Sequence, residues 1–451
     1  MKKLDFQLVT LFFAASMVVL FNACKKDDDP EPDPPEADEF TIQDDGSGTG
    51  TTTWKSGKTY LLDGFVFVND GQVLTIEPGC VIKGKPGQGE SASALIVARG
   101  GMIMAEGTAD NPIILTAEAD DLSGTLAKTD RGLWGGLILL GKARLNSSPG
   151  ETQIEGIPTN EPRGRYGGVS DDDNSGIVKY VSIRHGGTDI GEGNEINGLT
   201  LGGIGSGTTI DYVEVIANKD DGVEFFGGQP RLKHILVAYC GDDSFDYDEG
   251  YRGLGQFWCA IQDVNDGDRL GEHDGGTDPE TGQPYAIPNI YNATYIGRGA
   301  DAGKRVITFR DNAGGHYSNS LFVEQAKGID IENLESAQDS YKQFVDGNLV
   351  LNNNVFWNVS DGTEAGIFKI SGPGANEADS IAAVEAFAAY FTDAHNSVAN
   401  PGISFDNPVP SNPQTDNLAS YDDAWFDQVN FKGAFGSTNW AEGWTRYFSG
   451  K

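Results

Sequence analysis

Short apolar runs separated by turn residues fill the chain from about Trp54 onwards. Examples are "GQVLTIEPGCVIKG", "SALIVARGGMIMAEG" and "WGGLILLGKARL", in which three to five apolar residues are closed by Gly, Pro or Asn. Such short runs, bounded by turn residues, are typical of β-strands. The runs that open at Leu74 and Leu95 are 21 residues apart and look equivalent. The pattern therefore predicts an all-β fold made of many short strands.

A longer repeat supports a more specific prediction. The stretches "DYVEVIANKDDGVEFFGG" and "KHILVAYCGDDSFDYDEG" align at an offset of 22 residues, which places Glu224 over Asp246. Repeats of this length that contain only short strands indicate a β-solenoid. A β-propeller is the alternative, but its blades need about 40 residues each. We predict a right-handed parallel β-helix over residues 54–371.

Residues 372–451 have a different pattern. Apolar side chains recur there at helical spacing, at positions Ile381, Val384, Ala388 and Phe391, with Phe387 widening the stripe. The last coil of a solenoid exposes an unpaired edge, so we expect this segment to form a cap with an amphipathic helix. Aromatic residues near the C-terminus are expected to pack within the cap rather than to stack on a glycan, namely Trp440, Trp444 and Tyr447.

The N-terminus has the pattern of an export signal. A basic "MKK" precedes the apolar stretch "LVTLFFAASMVVLF", which is too short to span a membrane comfortably and ends in "FNAC". The last motif resembles the cleavage box of bacterial lipoproteins. This resemblance implies that residues 1–23 are a signal peptide and that Cys24 becomes the acylated first residue.

The segment behind Cys24 predicts where the domain lies. Residues 24–53 begin with "KKDDDPEPDPPEADEF", an acidic and Pro-rich composition that forms no core and favours an extended tether. An acidic run directly behind a lipidated Cys also resembles the surface-export signal of some Gram-negative lipoproteins. We expect an outer-membrane lipoprotein that faces the outside of the cell.

Composition limits the partners of the chain. The 451 residues carry a net charge of −35, and clustered Lys and Arg are needed to hold a polyanion. Nucleic acid is therefore excluded, whereas cations, neutral glycans and proteins fit. Besides Cys24 the chain has three cysteines, Cys80, Cys240 and Cys259. A Cys240–Cys259 disulfide and three free thiols are both consistent with export, and the spacing matches no zinc site.

The alternation within the strands predicts columns of side chains on the outer face. Equal positions of successive coils lie about 4.8 Å apart. The first predicted column is Thr200, Glu224, Asp246, Thr308, Asp330 and Lys369. The second is Asp248, Arg310 and Glu332, in which Asp248 and Arg310 can pair. Glu224 over Asp246 has no cation in its column, and opposed like charges are destabilising.

Three interpretations of these carboxylates remain open. In the first, the Asp-Asp pairs are turn residues that accept backbone N–H groups. In the second, stacked carboxylates bind Ca²⁺, which takes six to eight oxygen ligands. The predicted ligands are Glu224, Asp246, Asp220 and Asp221, and the loop "DVNDGDRLGEHDGG" adds Asp263, Asp266, Asp268 and Glu272.

The third interpretation is catalytic. β-Helices often carry polysaccharide lyases, which use an Arg or Lys base, and Arg310 beside Asp248 is the candidate. Inverting glycosidases need two carboxyl groups about 6.5–9.5 Å apart. Asp221, Asp242 and Asp243 are candidates for that pair. Isolated histidines without a partner in register are expected to be surface or turn residues, namely His185, His234 and His273.

The chain also resembles secreted or lipid-anchored β-helix surface proteins of Gram-negative bacteria. The segments that carry the resemblance include "LTIEPGCVIKG", "LIVARGGMIMAEGTADNPIILTA", "GDDSFDYDEGYRGLGQFW" and "FKGAFGSTNWAEGWT". The resemblance implies a fold and a location but no catalytic residues. We expect a surface lipoprotein that binds an extracellular glycan, matrix component or surface protein, with structural Ca²⁺. A polysaccharide lyase or glycosidase, and a spacer without ligand, are the alternatives.

Overall fold

The computed structural model describes residues 38–191, 194–276, 278–335, 338–373 and 377–449. Its strands, in chain order, are β1 (Glu39–Ile42), β2 (Thr52–Trp54), β3 (Thr59–Leu62), β4 (Phe65–Val68), β5 (Val73–Ile76), β6 (Val81–Gly84), β7 (Ala94–Val97), β8 (Met102–Glu106), β9 (Ile113–Ala117), β10 (Leu137–Leu140), β11 (Glu151–Gln153), β12 (Arg165–Gly167), β13 (Gly176–Arg184), β14 (Asp189–Gly191), β15 (Asn194–Glu195), β16 (Leu199–Gly202), β17 (Thr209–Ile216), β18 (Val223–Phe226), β19 (Arg231–Ala238), β20 (Phe245–Asp248), β21 (Leu254–Ile261), β22 (Gly271–Asp274), β23 (Asn289–Tyr291), β24 (Thr294–Gly299), β25 (Arg305–Arg310), β26 (Gly315–Ser318), β27 (Leu321–Gln325), β28 (Lys327–Glu332), β29 (Leu349–Asn352), β30 (Val355–Val359), β31 (Phe368–Ser371) and β32 (Ser397–Val398). The helices are α1 (Ser340–Val345), α2 (Glu364–Ile367), α3 (Glu377–Asp393) and α4 (Arg446–Ser449).

Two large parallel sheets form the solenoid. Sheet B contains ten strands, β4, β7, β10, β16, β18, β20, β22, β25, β28 and β31, each paired in parallel with the next. Sheet A contains 18 strands, which complete the coils. Two small antiparallel hairpins, β11–β12 and β14–β15, lie in the connections. The predicted parallel β-helix is confirmed, and the propeller alternative is wrong.

Alternation along the strands builds the core. Inward side chains of successive coils stack on one another, as in the aromatic column in which Trp258 lies 5.5 Å from Phe225 and 4.6 Å from Phe245. Tyr295 continues this column, 5.6 Å from Phe245. These side chains are almost fully buried, and each large aromatic residue contributes its apolar area and a favourable ring contact.

A ladder of rings marks the bend in the long strands of sheet A. Tyr180, Tyr212, His234 and Phe257 all have a positive φ and occupy the same position in β13, β17, β19 and β21. Their rings stack with centroid distances of 4.5, 4.1 and 4.8 Å. A left-handed backbone conformation costs about 1–3 kcal/mol at each residue. Stacking of the rings offsets part of this cost. The expectation that His234 is a surface or turn residue without a partner is wrong, because it lies within β19 and its Nδ1 is 2.8 Å from the Asp211 carboxylate.

Two details of the predicted organisation are wrong. Leu74 and Leu95 are not equivalent, because Leu74 pairs with Ile103 in sheet A whereas Leu95 pairs with Val66 in sheet B. Both runs are apolar because both strands face the core, so composition does not separate the two sheets. The solenoid also begins earlier than residue 54. Strand β1 lies inside the predicted tether and pairs in parallel with β3. Cys24 and the signal segment 1–23 lie outside the described residues.

The outer face of sheet B is covered over its first strands. Phe67, Ile96 and Ile138 point away from the core and pack against apolar side chains of the connecting segments. These include Ile154 and Ile196. Further along sheet B the outward positions become polar, so the apolar cover ends where the carboxylates begin.

The segment after β31 has two parts. Helix α3 closes the end of the solenoid, with Phe387 and Phe391 buried about 5.9 Å from the ring of Phe368. The predicted helix is thus confirmed, although the side chains of Ile381 and Val384 are outside the described residues. Residues 399–449 then run back along sheet A and cover its outer face, which the prediction of a simple end cap did not anticipate. Trp444 and Tyr447 are buried in this segment, as expected.

The three cysteines of the solenoid are free and buried. Burial raises the pKa of the Cys80 and Cys240 thiols to about 12. They therefore behave as core residues rather than as reactive thiols. Within the described part of the chain, none of the helices has the length and apolar character to cross a membrane.

Glu214 fastens the C-terminal segment to sheet A. This side chain is 0 % exposed and accepts hydrogen bonds from the backbone N–H groups of Arg446 and Tyr447, both at 2.8 Å. The Ser182 hydroxyl also donates to it. The carboxylate thus holds the N-terminus of α4.

We predict that Glu214→Gln loosens residues 399–449. The amide loses the charge-assisted bonds and turns an NH₂ group towards backbone donors, a loss of about 1.5–3 kcal/mol. Limited proteolysis of the folded protein should cut this segment at least several-fold faster. Glu442→Gln, at an exposed position of the same segment, is the control and should leave the rate unchanged. Equal rates for both variants would contradict the role of Glu214.

Candidate functional site

Three neighbouring strands of sheet B place carboxylates directly beside one another. Glu224 of β18 pairs with Asp246 of β20, and Asp246 pairs with Glu272 of β22. The predicted column omitted Glu272 and placed Thr308 next to Asp246, whereas Thr308 follows Glu272. Strand β22 was read as part of a loop because its sequence, "GEHD", contains no apolar residue. The column is therefore more acidic than predicted.

The turns that precede β16, β18, β20 and β22 form a separate column of side chains, distinct from the two predicted columns. Its members are Asn197, Asp221, Asp243 and Arg269, one from each of four successive coils. The N–H of Asp243 donates to the Asp221 carboxylate at 2.8 Å, and the N–H of Arg269 donates to the Asp243 carboxylate. The interpretation of the Asp-Asp pairs as turn residues that accept backbone N–H groups is confirmed at these two positions.

Together the columns line a polar pocket of about 190 Å³. Its lining contains nine carboxylates and one amide, from Glu155, Glu195, Asn197, Asp220, Asp221, Glu224, Asp242, Asp243, Asp246 and Glu272. Asp242 is exposed, so the pocket opens to solvent at its rim. All four predicted metal ligands and two of the four catalytic candidates, Asp242 and Asp243, meet here.

Three lining residues were missed by sequence reasoning, Asn197, Glu155 and Glu195, whereas Glu272 was predicted but assigned to a loop instead of a strand. Asn197 was detectable, because "NGLTLG" aligns with "DDGVEFF" in the next coil. Glu155 and Glu195 come from the irregular segments that cover sheet B, where no repeat predicts which side chain turns inwards. Two of the three missed residues thus depend on loop conformation alone.

Burial and mutual repulsion raise the pKa values of this cluster. Removal from water places the pKa of Asp221, Glu224, Asp243 and Asp246 well above the usual range, and the neighbouring carboxylates add to the effect. Burial and Glu155 raise the pKa of Asp220 to about 7. Burial, with Asp274 adding to it, also raises the pKa of Asp248 to about 7. The apo cluster therefore retains protons near neutral pH.

Two arginines neutralise one end of the cluster. Arg269 lies 2.7 Å from Glu272 and 3.3 Å from Asp243. Arg310 lies 2.6 Å from Glu272 and 2.7 Å from Asp274. The predicted pair of Asp248 with Arg310 is wrong, because the coil that contains β22 stands between them.

The ion pairs also decide what Arg310 can do. Burial alone would lower the pKa of its guanidinium, but the bonds to Asp274 and the charge of Glu272 raise it above the usual range. A group that releases its proton so reluctantly is a poor general base. Arg310 is therefore better suited to hold charge than to abstract a proton.

The middle of the cluster has no such cation. Among the residues that the structure describes, no Lys or Arg forms an ion pair with Asp221, Glu224 or Asp246. Glu224 instead accepts a hydrogen bond from the side-chain amide of Asn197. The same amide donates to the Glu155 carboxylate at 2.9 Å. The buried Oδ1 atoms of Asn197 and Asp246 have no hydrogen-bond partner within the described ranges.

This arrangement has the donor set of a hard-cation site. Ligand atoms of Asp221, Glu224 and Asp246 lie within 4.8 Å of one another, as do those of Asp243, Asp246 and Glu272. All donors are oxygens, which suit Ca²⁺, Mg²⁺ or Mn²⁺ rather than softer metals. Asn197 is 1 % exposed, and its unpartnered oxygen adds an uncharged ligand beside the first group. The residues present therefore fit a divalent cation.

Other predicted contributors lie elsewhere. Asp263 and Asp266 pair with Arg131 and do not line the pocket, unlike Glu272 from the same segment. His273 is a core residue rather than a surface or turn residue, with its ring 3.9 Å from that of Tyr247 and its Nε2 2.8 Å from the Tyr317 hydroxyl. Burial lowers its pKa to about 3, so it stays neutral.

Comparison with known proteins agrees with this architecture. Residues 46–445 match the model of the pectate-lyase-like β-helix domain. The chain therefore belongs to the family of pectate-lyase-like β-helix proteins. No curated protein and no solved structure matches the chain.

We predict that the stability of the protein depends on pH in opposite ways without and with Ca²⁺. Carboxyls whose pKa is raised by folding stabilise the folded state below about pH 4 and lose that contribution as the pH rises through their folded values. Those values are about 6 for Asp274 and about 7 for Asp220 and Asp248. In chelator, Tm should fall between about pH 4 and pH 8 in thermal melts.

Added Ca²⁺ should oppose this fall, because it binds the deprotonated carboxylates. At 100 times its Kd a ligand adds about 2.7 kcal/mol, which is a few degrees in Tm for a domain of this size. Asp246→Asn should raise Tm in chelator and abolish the response to Ca²⁺. Asp330→Asn is the matched control from the same column, where Asp330 pairs with Arg305 at 3.6 Å, and it should keep the response. A wild-type Tm unaffected by Ca²⁺ at pH 8 would refute the cation site.

Proposed function

We propose that this chain is an outer-membrane surface lipoprotein whose β-helix binds an acidic extracellular glycan through bound Ca²⁺. The observation that carries the proposal is the middle of the pocket, where Asp221, Glu224 and Asp246 converge and where no Lys or Arg of the described ranges pairs with them. The nine carboxylates of the lining would otherwise repel an anionic ligand and each other.

The chemistry of Ca²⁺ supports a role in ligand binding. Asp221, Glu224, Asp246 and the Asn197 oxygen would hold the cation, and Ca²⁺ takes six to eight oxygens. A rim open at Asp242 leaves room for oxygens from outside the protein. Carboxylates of a uronate-rich polysaccharide supply such oxygens and carry the charge that a bound cation attracts. The family name, pectate-lyase-like, agrees with this ligand class.

The anchor is proposed from the sequence. "FNAC" precedes the acidic segment, and acylation of Cys24 would tether the β-helix to the membrane. Mass spectrometry of the protein isolated from membranes should find an acylated Cys24 as the first residue. An intact Met1, or an unmodified thiol at Cys24, would contradict the anchor.

A polysaccharide lyase is the alternative, and the family match favours it. Lyases of this fold use an Arg or Lys as the base, and Arg310 was the candidate. Its ion pairs with Glu272 and Asp274 keep it protonated. Binding without cleavage therefore accounts better for the geometry.

Polysaccharide binding tests both functions in one experiment. We expect polygalacturonate or alginate to bind in Ca²⁺ and to be released by chelator, whereas neutral dextran does not bind. Asp246→Asn should weaken binding at least tenfold and Asp330→Asn should not, because only the former removes a proposed ligand of Ca²⁺. The absorbance of unsaturated uronate products reports lyase activity.

Each other outcome decides against the proposal. Accumulation of unsaturated product that stops in Asp246→Asn would establish the lyase instead. Binding of neutral dextran alone, or binding unchanged by chelator, would refute a cation-dependent site for acidic glycans. No binding to any of the three polysaccharides would leave a protein ligand or a spacer as the role of the chain.

A further inference from the structure

A second pocket lies far from the carboxylates in sequence, within the C-terminal segment that covers sheet A. It has a volume of about 460 Å³. Its apolar walls are formed by Val409, Pro410, Pro413, Phe431 and Phe435. Nothing in the family match or in the proposed glycan function assigns a role to this pocket.

Lys432 also lines this pocket and is 3 % exposed. Its ammonium forms no hydrogen bond and no ion pair with any residue that the structure describes. Lys233 of strand β19, by comparison, lies 2.8 Å from Asp427. The side chain as a whole is buried while its ammonium has no protein partner among the described residues, so the charge depends on water or on a bound anion.

The backbone around Lys432 is held firmly. Its own N–H donates to the Gln414 carbonyl at 2.9 Å. The next two N–H groups donate to the Asn319 carbonyl and the Thr294 hydroxyl, both at 2.8 Å. Gly433 has φ +87°, and a Cβ there would lie 2.6 Å from Leu321. The backbone position of Lys432 is therefore fixed by contacts with Gln414 and with sheet A and its turns, which places the side chain in the lining of the pocket.

The electrostatic state of Lys432 follows from these surroundings. Burial lowers its pKa to about 8, and the exposed Asp416 offsets part of that effect. The amine thus changes charge near physiological pH, unlike a surface lysine. An anion bound beside it would restore the proton.

We propose that this pocket binds a small aromatic carboxylate, with the carboxylate on the Lys432 ammonium and the ring against Phe431, Pro410 and Pro413. Apolar walls with one placed charge are the usual composition of small-molecule sites. A charge-assisted hydrogen bond in such a place contributes about 1.5–3 kcal/mol, or roughly ten- to a hundredfold in affinity. The acidic net charge opposes anions at long range, so recognition depends on this direct contact.

Three naphthalene probes of nearly equal shape test the proposal. They are 2-naphthoate, neutral 2-naphthamide and cationic 2-naphthylmethylamine, measured by calorimetry at pH 7 on the folded chain. We expect 2-naphthoate to bind at least tenfold more tightly than the other two. Lys432→Met should remove this preference while keeping an apolar side chain of similar length. Lys55→Met, at a surface lysine paired with Glu77, should bind like the wild type.

Measuring proton uptake on binding is a second test of the proposal, and it uses the wild-type protein alone. At pH 9 most Lys432 side chains are neutral, so 2-naphthoate should bind with the uptake of up to one proton, detected in buffers of different ionisation enthalpy. Equal affinity for acid and amide, binding unchanged in Lys432→Met, or binding without proton uptake would each overturn the proposal. These results are independent of Ca²⁺ and of glycan binding, so either proposal can fail alone.

Discussion

In-register stacking of parallel strands is the constraint on which the rest of this structure depends. Neighbouring strands lie about 4.8 Å apart, so equal positions of successive coils are in contact. Inside the solenoid this contact joins Phe225, Trp258 and Phe245 into one aromatic column. Outside it brings Glu224 and Asp246 together, where like charges repel. The stability of the core and the electrostatic cost of the site thus have one origin.

The protein compensates for that cost unevenly. Arg269 and Arg310 neutralise the end of the cluster at Glu272, while Asn197 is the polar contact of Glu224 at the other end. Between them the carboxylates rely on protonation or on an external cation. The covering segments sharpen this contrast, because they add the carboxyl groups of Glu155 and Glu195 to the lining of the pocket. A site that is completed from outside is typical of binding proteins and of metal-dependent enzymes alike, and the paired state of Arg310 favours binding.

Covering segments decide the character of both sheets. Sheet A loses its outer face to residues 399–449, which Glu214 fastens in place and which form the pocket around Lys432. The apolar cover of sheet B lies over its first strands, and further along the outward columns are polar and largely buried, with an opening at the rim of the carboxylate pocket. One scaffold therefore carries an oxygen-rich site on one sheet and an apolar site with a single ammonium on the other, and their ligands differ in chemistry.

The sequence by itself determined the class of fold and the stack of Glu224 on Asp246, because a side-chain period of two and a coil offset of 22 residues are local properties of the chain. It also indicated helix α3 and the packing of Trp444. It did not reveal the coil that contains β22, since "GEHD" has a strand conformation only because β20 and β25 lie on either side of it. The missing coil also gave Arg310 the wrong partner, whereas Leu74 and Leu95 looked equivalent because both of their strands face the core. Only the tertiary structure decided that Glu155, Glu195 and Lys432 line pockets, because irregular segments far apart in sequence place them there and no repeat records their conformation.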